Sequence, residues 1–265
     1  MLIREYTDFV DIDINIFNRY EMKSVAYYDI ETTGFDKEED NVILVSLGRF
    51  IDEKNFSIKQ YFAESLEDEN DILYEFGLDL KGYNKWCSYN GIAFDEPFIK
   101  RRMEKSSIYF QPPQFHIDLY RLIRPYYKQL GMERCNLKTV EKHIGIDRED
   151  QIDGGISVDM YKEFLVTFNE ELKDTIMLHN YEDVLNLPKI HEYIYKVENN
   201  DKLTREDRIT EKQLRYLKTL VKKNNILLDV ELDRISKKAA SRIIDHILKG
   251  CRDHDQIESI ISNSY

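Results

Sequence analysis

Cysteine is scarce in this chain, and the scarcity is informative. The three present, Cys87, Cys135 and Cys251, are far apart, odd in number, and include no pair at zinc-ligand spacing. That excludes a disulfide framework or a zinc module as the basis of the fold and points to a reducing compartment. Long apolar runs are missing too. No stretch approaches the roughly 18 apolar residues of a membrane span. The first residues, Met1-Leu2-Ile3-Arg4-Glu5, contain no apolar core of signal-peptide length. A soluble, cytoplasmic protein is the expectation. Nor is there an excess of positive charge. The formal net charge is −12, which argues against a protein held to nucleic acid by bulk basicity. No internal repeat or low-complexity tract interrupts the sequence.

What is present is enough for an ordinary core. The 265 residues are 42% hydrophobic, which suits one large domain or a main domain with a small companion. The acid is unevenly spread. Residues 1–200 carry 24 basic and 39 acidic side chains, about −15, whereas residues 201–265 carry 14 and 11, about +3. A change of sign between segments suggests two units with different jobs.

Hydrophobic patterning predicts strands at 25–30, 42–51 and 56–63, joined by short polar turns as in an antiparallel meander. A helix follows at 67–80, a short strand at 86–89, a helix at 93–104, and a strand at 116–118 that leads into a helix through 127. Further helical patterns occupy 137–144, 158–168 and 170–196, with Pro188 expected to kink the last. The order predicts an α/β protein, a mixed sheet flanked by helices. Residues 1–198 would form this domain, 199–208 a linker, and 209–265 a small helical module. In that module Thr210 and Gln213 have capping-box spacing, Leu214, Leu217, Leu220 and Val221 form a stripe, and Ser236 can cap a second helix. About 55 residues are marginal alone, so the module should pack on itself, on the main domain or on a partner.

The chemistry begins at Asp29-Ile30-Glu31-Thr32-Thr33-Gly34. In a strand, residues i and i+2 share a face, so Asp29 and Glu31 aim two carboxylates at one point. Such a pair repels unless a positive charge sits between, and a divalent cation is the natural candidate. Solvated acids on an edge strand are the plainer explanation of this pair alone. Asp95, in Asn90-Gly91-Ile92-Ala93-Phe94-Asp95-Glu96-Pro97-Phe98, falls in the first turn of a helix, where a carboxylate also suits the dipole. His179 and Asp183 stand at i and i+4 on one helix face, a spacing more often structural than catalytic. Asp118 reads as a cap for the helix after it.

Together these segments resemble the DEDD superfamily of metal-dependent 3′→5′ exonucleases, which have the ribonuclease H-like fold. Asp29 to Gly34 matches the first motif. Tyr89-Asn90-Gly91-x-x-Phe94-Asp95-x-Pro97-Phe98 matches the second, in a form also seen in proofreading domains of family B DNA polymerases. His179-Asn180-x-x-Asp183-Val184 matches the third. Leu137-Lys138-Thr139-Val140-Glu141, followed by Gly145-Ile146-x-Arg148-Glu149-Asp150-x-Ile152, resembles the bacterial YprB-like branch. The resemblance covers roughly residues 24–195. It implies that Asp29, Glu31, Asp95 and Asp183 gather at the edge of the sheet and bind two divalent ions, Mg²⁺ or Mn²⁺. It also implies that His179 is the general base. The implied reaction is hydrolysis of single-stranded DNA or RNA from the 3′ end, DNA ahead of RNA, releasing nucleoside 5′-monophosphates.

One departure stands out. Three residues separate His179 from Asp183, the spacing of the superfamily's tyrosine subgroup rather than its histidine subgroup. Tyr181 is a poor substitute, because i−2 points to another helix face. Thr32, Gly34, Phe35 and Asn90 are the candidate substrate contacts, with Phe35 placed to stack on a base. Lys100, Arg101, Arg102 and Lys105 form a candidate phosphate-facing patch. Trp86, Tyr126 and Tyr127 read as packing. Lys212, Arg215, Lys218, Lys222 and Lys223 give the C-terminal module a basic side suited to nucleic acid or a partner. The alternatives are a non-catalytic adaptor that kept the fold and an endonuclease of the same fold.

Overall fold

The computed structural model of the chain describes residues 1–150, 152, 154–228 and 231–262. The end of the C-terminal module at 263–265 lies outside them. Among the described residues, six strands form one sheet. In chain order they are β1 (Leu2–Phe9), β2 (Val25–Thr32), β3 (Val42–Phe50), β4 (Asn55–Phe62), β5 (Lys85–Ser88) and β6 (Phe115–Asp118), arranged β1-β4-β3-β2-β5-β6 across the sheet. The expected meander is present, with β2, β3 and β4 paired antiparallel. β5 and β6 then add in parallel on the far side of β2. β2 therefore lies inside the sheet, between β3 and β5. The carboxylates are not at the sheet's edge, as the resemblance led one to expect. They lie at the carboxyl end of a central strand, where the antiparallel half meets the parallel half. This is the end of a strand at which α/β folds place their sites.

β1 was not foreseen. Its side chains alternate between half-buried and exposed, but the sheltered set is Leu2, Arg4, Tyr6 and Asp8, half of it charged. The helix α7 (Glu170–Glu198) makes that face tolerable. Arg4 pairs with Asp174 at 2.7 Å, and Asp8 accepts from the Tyr181 hydroxyl at 2.5 Å. The latter contact confirms that Tyr181 turns away from the cleft. A short helix, α1 (Ile14–Arg19), capped by Asp13, was also missed.

The remaining helices are α2 (Glu69–Asp79), α3 (Asp95–Lys105), α4 (Leu119–Ile123), α5 (Leu137–His143) and α6 (Gly154–Thr167). α4 stops well short of residue 127, because Pro125 has no N–H to carry the helical hydrogen-bond ladder onward. α7 carries Pro188 within one unbroken helix, and Pro188 is itself on the buried face. Packing on both sides outweighs the hydrogen bond that proline removes.

Two cores cover the sheet. Ala26, Tyr28 and Ile30 of β2 pack with residues of α2, α3 and α6 on one face. Val25 and Tyr27 face Val184, Leu187, Ile190 and Ile194 of α7 on the other. Asp29 and Glu31 continue the second parity, so the strand turns from apolar to acidic under α7. A register shift between Glu31 and Thr32 bends the strand at this point, as bulges beside functional sites do.

The tail folds into α8 (Glu211–Lys223), α9 (Lys237–Leu248) and α10 (His254–Ser262) around their own core, with Leu217, Ala239, Ala240, Ile243 and Ile257 fully buried. The capping box of Thr210 and Gln213 forms, and Ser236 caps α9. The tail also meets the main domain. α10 packs on β6, and Arg234 donates to the Glu198 carbonyl at 3.1 Å. The connecting segment is tied down as well, with the Thr204 N–H donating to Gln129 Oε1 at 2.9 Å. No described helix is long and apolar enough to cross a membrane.

Candidate active site

Three elements converge below α7. β2 supplies Asp29 and Glu31. α3 begins at Asp95, whose Oδ1 accepts the N–H of Ile30, the residue between them, at 3.2 Å. α7 supplies His179, Asn180 and Asp183 from consecutive turns. The Asn180 amide donates to Asp29 Oδ2 at 2.7 Å and is itself anchored by the Ser46 hydroxyl. The Ser157 hydroxyl, on α6, donates to Glu31 Oε2 at 2.5 Å. His179 Nε2 lies 3.6 Å from both Glu31 Oε1 and Asp183 Oδ2. Asp29, Glu31, His179 and Asp183 line a cleft of about 380 Å³ together with Thr32, Gly34, Phe35, Tyr89 and Lys138. Asp95 sits behind them and is 4% exposed.

The electrostatics are strained in one direction. Burial raises the Asp29 carboxyl well above its ordinary range, and Asp95, Asp183 and Glu31 push it further, with Arg148 opposing. Burial likewise drives Glu31 up to about 7 against the pull of His179 and Ser157. Asp95 also rises to about 7, again chiefly by burial. Acids that resist ionisation this strongly are short of positive charge. The donor set answers to a divalent cation. Ligand atoms of Glu31, His179 and Asp183 lie within 4.8 Å of one another, and the Asp29 carboxyl lines the same cleft. Oxygen-rich sites of this kind suit Mg²⁺ and Mn²⁺.

The structure thus groups Glu31, His179 and Asp183, places Asp29 on the same cleft, and leaves Asp95 behind it on the Ile30 N–H. The substrate contacts fare differently. Phe35 is 88% exposed and meets Phe94 edge-on with ring centroids 5.9 Å apart. The Thr32 hydroxyl is turned to the Gly34 carbonyl at 2.6 Å. Gly34 has a local reason to be glycine, since a Cβ there would fall 2.3 Å from the Asp40 carboxylate. Asn90 is outside the cleft lining. Its backbone is left-handed, φ 68°, and its N–H donates to Asp118 Oδ1 at 2.9 Å. Asp118 is the cap that was expected and also anchors this turn. Trp86 is core, as expected.

Three members of the basic run on α3 are engaged within the protein. Arg101 grips Glu38 with two guanidinium nitrogens, both at 2.7 Å at closest, and buried Arg102 pairs with Glu69 at 2.6 Å. Lys105 donates to the Glu38 carbonyl. These side chains brace the loop after β2. Conversely, the motifs gave no chemical role to Asn180, Ser157, Arg148 or Asp150. The signal for the last two lay in the Gly145 to Ile152 segment, whose family resemblance carries no chemistry of its own.

A family model described as RNase_H_2, of the RNase_H superfamily, matches residues 26–195. Among solved structures the chain is similar to the family B DNA polymerase from the hyperthermophilic archaeon Pyrobaculum calidifontis. That similarity has 15% identity and a TM-score of 0.48 and covers 86% of this chain. The chain spans only 27% of the polymerase's length. It is similar also to a structure described as the apo form of a nuclease, at 14% identity and a TM-score of 0.32, covering 72% of this chain and 93% of the other. Among curated proteins, none matches.

Proposed function

The chain belongs to the RNase_H_2 family of the RNase_H superfamily, and from that membership we propose that it is a metal-dependent 3′→5′ exonuclease acting on single-stranded nucleic acid. The observation that carries the proposal is the convergence of Asp29, Glu31, Asp95 and Asp183 beside His179 at the carboxyl end of β2. On this reading the four carboxylates hold two divalent ions, Mg²⁺ or Mn²⁺. Bound there, such ions supply Lewis acidity toward the scissile phosphate and offset charge developing on the leaving 3′ oxygen. The chain's own groups do the rest. Asn180 and Ser157 fix Asp29 and Glu31 by hydrogen bonds. His179 Nε2 would accept the proton of the attacking water, a role that imidazole often takes in general base catalysis. Residues 1–198 are the catalytic domain, 199–208 the connection, and 209–265 a binding module.

The test is incubation with 5′-labelled single-stranded DNA and RNA in Mg²⁺ or Mn²⁺. A ladder shortening from the 3′ end supports the proposal. Internal cuts identify an endonuclease, and intact substrate under every metal condition overturns the proposal.

Two substrate contacts are open to measurement. Phe35 is the exposed aromatic at the cleft mouth, and stacking a base on such a ring contributes about 1–3 kcal/mol. Phe35→Ala is therefore expected to raise KM about tenfold with little change in kcat. An unchanged KM removes Phe35 from the substrate path. On α8, Lys212, Arg215, Lys222 and Lys223 are exposed alongside Tyr216, which is 47% exposed. Changing these four basic residues to glutamine is expected to flatten the log Kd against log salt slope for a single strand by about 3, at roughly 0.7 for each phosphate no longer neutralised. An unchanged slope excludes α8 from the binding surface.

A further inference from the structure

The segment from Lys138 to Asp150 wraps the back of His179. Asp150 is 6% exposed, and its Oδ2 receives three donors. They are His179 Nδ1 at 2.6 Å, Lys138 Nζ at 2.9 Å and Arg148 Nη2 at 3.1 Å. Its Oδ1 accepts the Ile152 N–H at 2.9 Å. The Glu149 and Asp150 N–H groups donate to the Glu182 carboxylate, one turn along α7 from His179, at 3.0 and 2.9 Å. Arg148 closes the frame, with Nη1 on Asp183 Oδ1 at 2.5 Å and Nη2 on the His179 carbonyl at 2.9 Å. Asp150 is thus fixed from its side chain and its backbone alike.

Burial favours the neutral form of Asp150, but the hydrogen bonds from His179, Lys138 and Ile152 outweigh it and hold the carboxyl below its usual value. An ionised carboxylate only accepts hydrogen bonds. The proton in the 2.6 Å contact therefore belongs to Nδ1 of His179. That leaves the other nitrogen, Nε2, turned toward Glu31 and Asp183. An imidazole held by one nitrogen presents the other in a defined tautomer and direction.

We propose that Asp150 is a positioning residue that fixes His179 with its proton on Nδ1 and Nε2 presented to the carboxylate cluster, Lys138 and Arg148 keeping Asp150 in place. The geometry stands on its own, while the effect on turnover rests on the exonuclease reading above. The helix puts His179 and Asp183 on one face but leaves the ring free to turn, and the loop before α6 supplies the missing orientation.

The test uses the full chain, metal-free, with ¹⁵N-labelled histidine rings, and His179→Gln to assign the signal. In the neutral ring, the proton is expected on Nδ1 of His179. Asp150→Asn is expected to shift the population toward the Nε2 proton and to lower kcat by about 10- to 100-fold, the usual range for such supporting groups, with KM changed less than about twofold. Asp150→Glu, which keeps a carboxylate, is expected to restore the Nδ1 signature and part of kcat. A wild-type ring protonated on Nε2 overturns the proposal, and so does an Asp150→Asn chain with unaltered tautomer and kcat. The wild-type measurement decides even if that variant fails to fold. If the chain degrades no nucleic acid, the ring signal still decides this proposal while the exonuclease reading falls.

Discussion

Asp29→Asn is expected to reduce release of nucleotides from a 5′-labelled single strand by about 10³-fold or more while leaving the fold intact. The substitution keeps the shape, and an asparagine Oδ1 can accept the Asn180 amide bond that Asp29 Oδ2 accepts at 2.7 Å. What it removes is the charge at the centre of the cluster, the carboxyl on which Asp95, Asp183 and Glu31 all act. A divalent ion is worth several kcal/mol of transition-state stabilisation, and each 1.4 kcal/mol is roughly tenfold in rate. Single-turnover assays at saturating metal, beside a thermal melt of the same preparation, separate the two effects. Activity within about tenfold of wild type, from a chain melting normally, places Asp29 away from the reacting centre.

The acidic motif was legible because strand parity alone sets Asp29 and Glu31 on one face, and because one helical turn joins His179 to Asp183. Both are local rules. The caps at Asp118, Thr210 and Ser236 were legible for the same reason. What escaped depends on partners far along the chain. β1 hides Arg4 and Asp8 on its sheltered face, and only Asp174 and Tyr181 of α7 make that bearable. Arg101 and Arg102 look like a solvent-facing run until the loop after β2 folds back with Glu38 and α2 contributes Glu69. Arg148 and Asp150 reach His179 and Asp183 across the whole of α6, so no spacing rule links them. The sheet order hid the central place of β2 as well, since β5 and β6 join in parallel after long excursions.

The same cluster makes stability depend on pH and metal in an unusual sense. In the metal-free chain, Glu31 and Asp95 are pushed up to about 7 and Asp29 is raised too. The unfolded chain ionises these acids at ordinary carboxylate values. Between those values and about 7, the folded state therefore binds more protons than the unfolded state, and stability falls as pH rises through that window. Below it both states are protonated and the effect vanishes. Above it the full penalty remains. A rise like that of Glu31 is worth roughly 3 kcal/mol, and since the acids interact, the total is less than their sum. Asp150, Asp68 and Asp79, held low by their hydrogen-bond partners, and His191, kept neutral by burial down to about 3, act in the opposite sense, and their contribution is lost on acidification. Melts in chelator are thus expected to peak in mild acid and decline toward pH 8. Mn²⁺ at a fixed concentration 100 times its Kd at pH 8 is expected to restore about 2.7 kcal/mol there and less at pH 5, because protons compete for the same oxygens. Asp29→Asn is expected to melt higher than wild type in chelator at pH 8 and to lose most of the Mn²⁺ response, so that the substitution that removes activity adds stability. A metal-free melt that climbs steadily from pH 5 to pH 8, with no Mn²⁺ response at either end, is the result that would refute a metal centre here. Burial of Glu31, Asp95 and Asp29 beside α7 costs the metal-free chain stability, which a bound cation is expected to return.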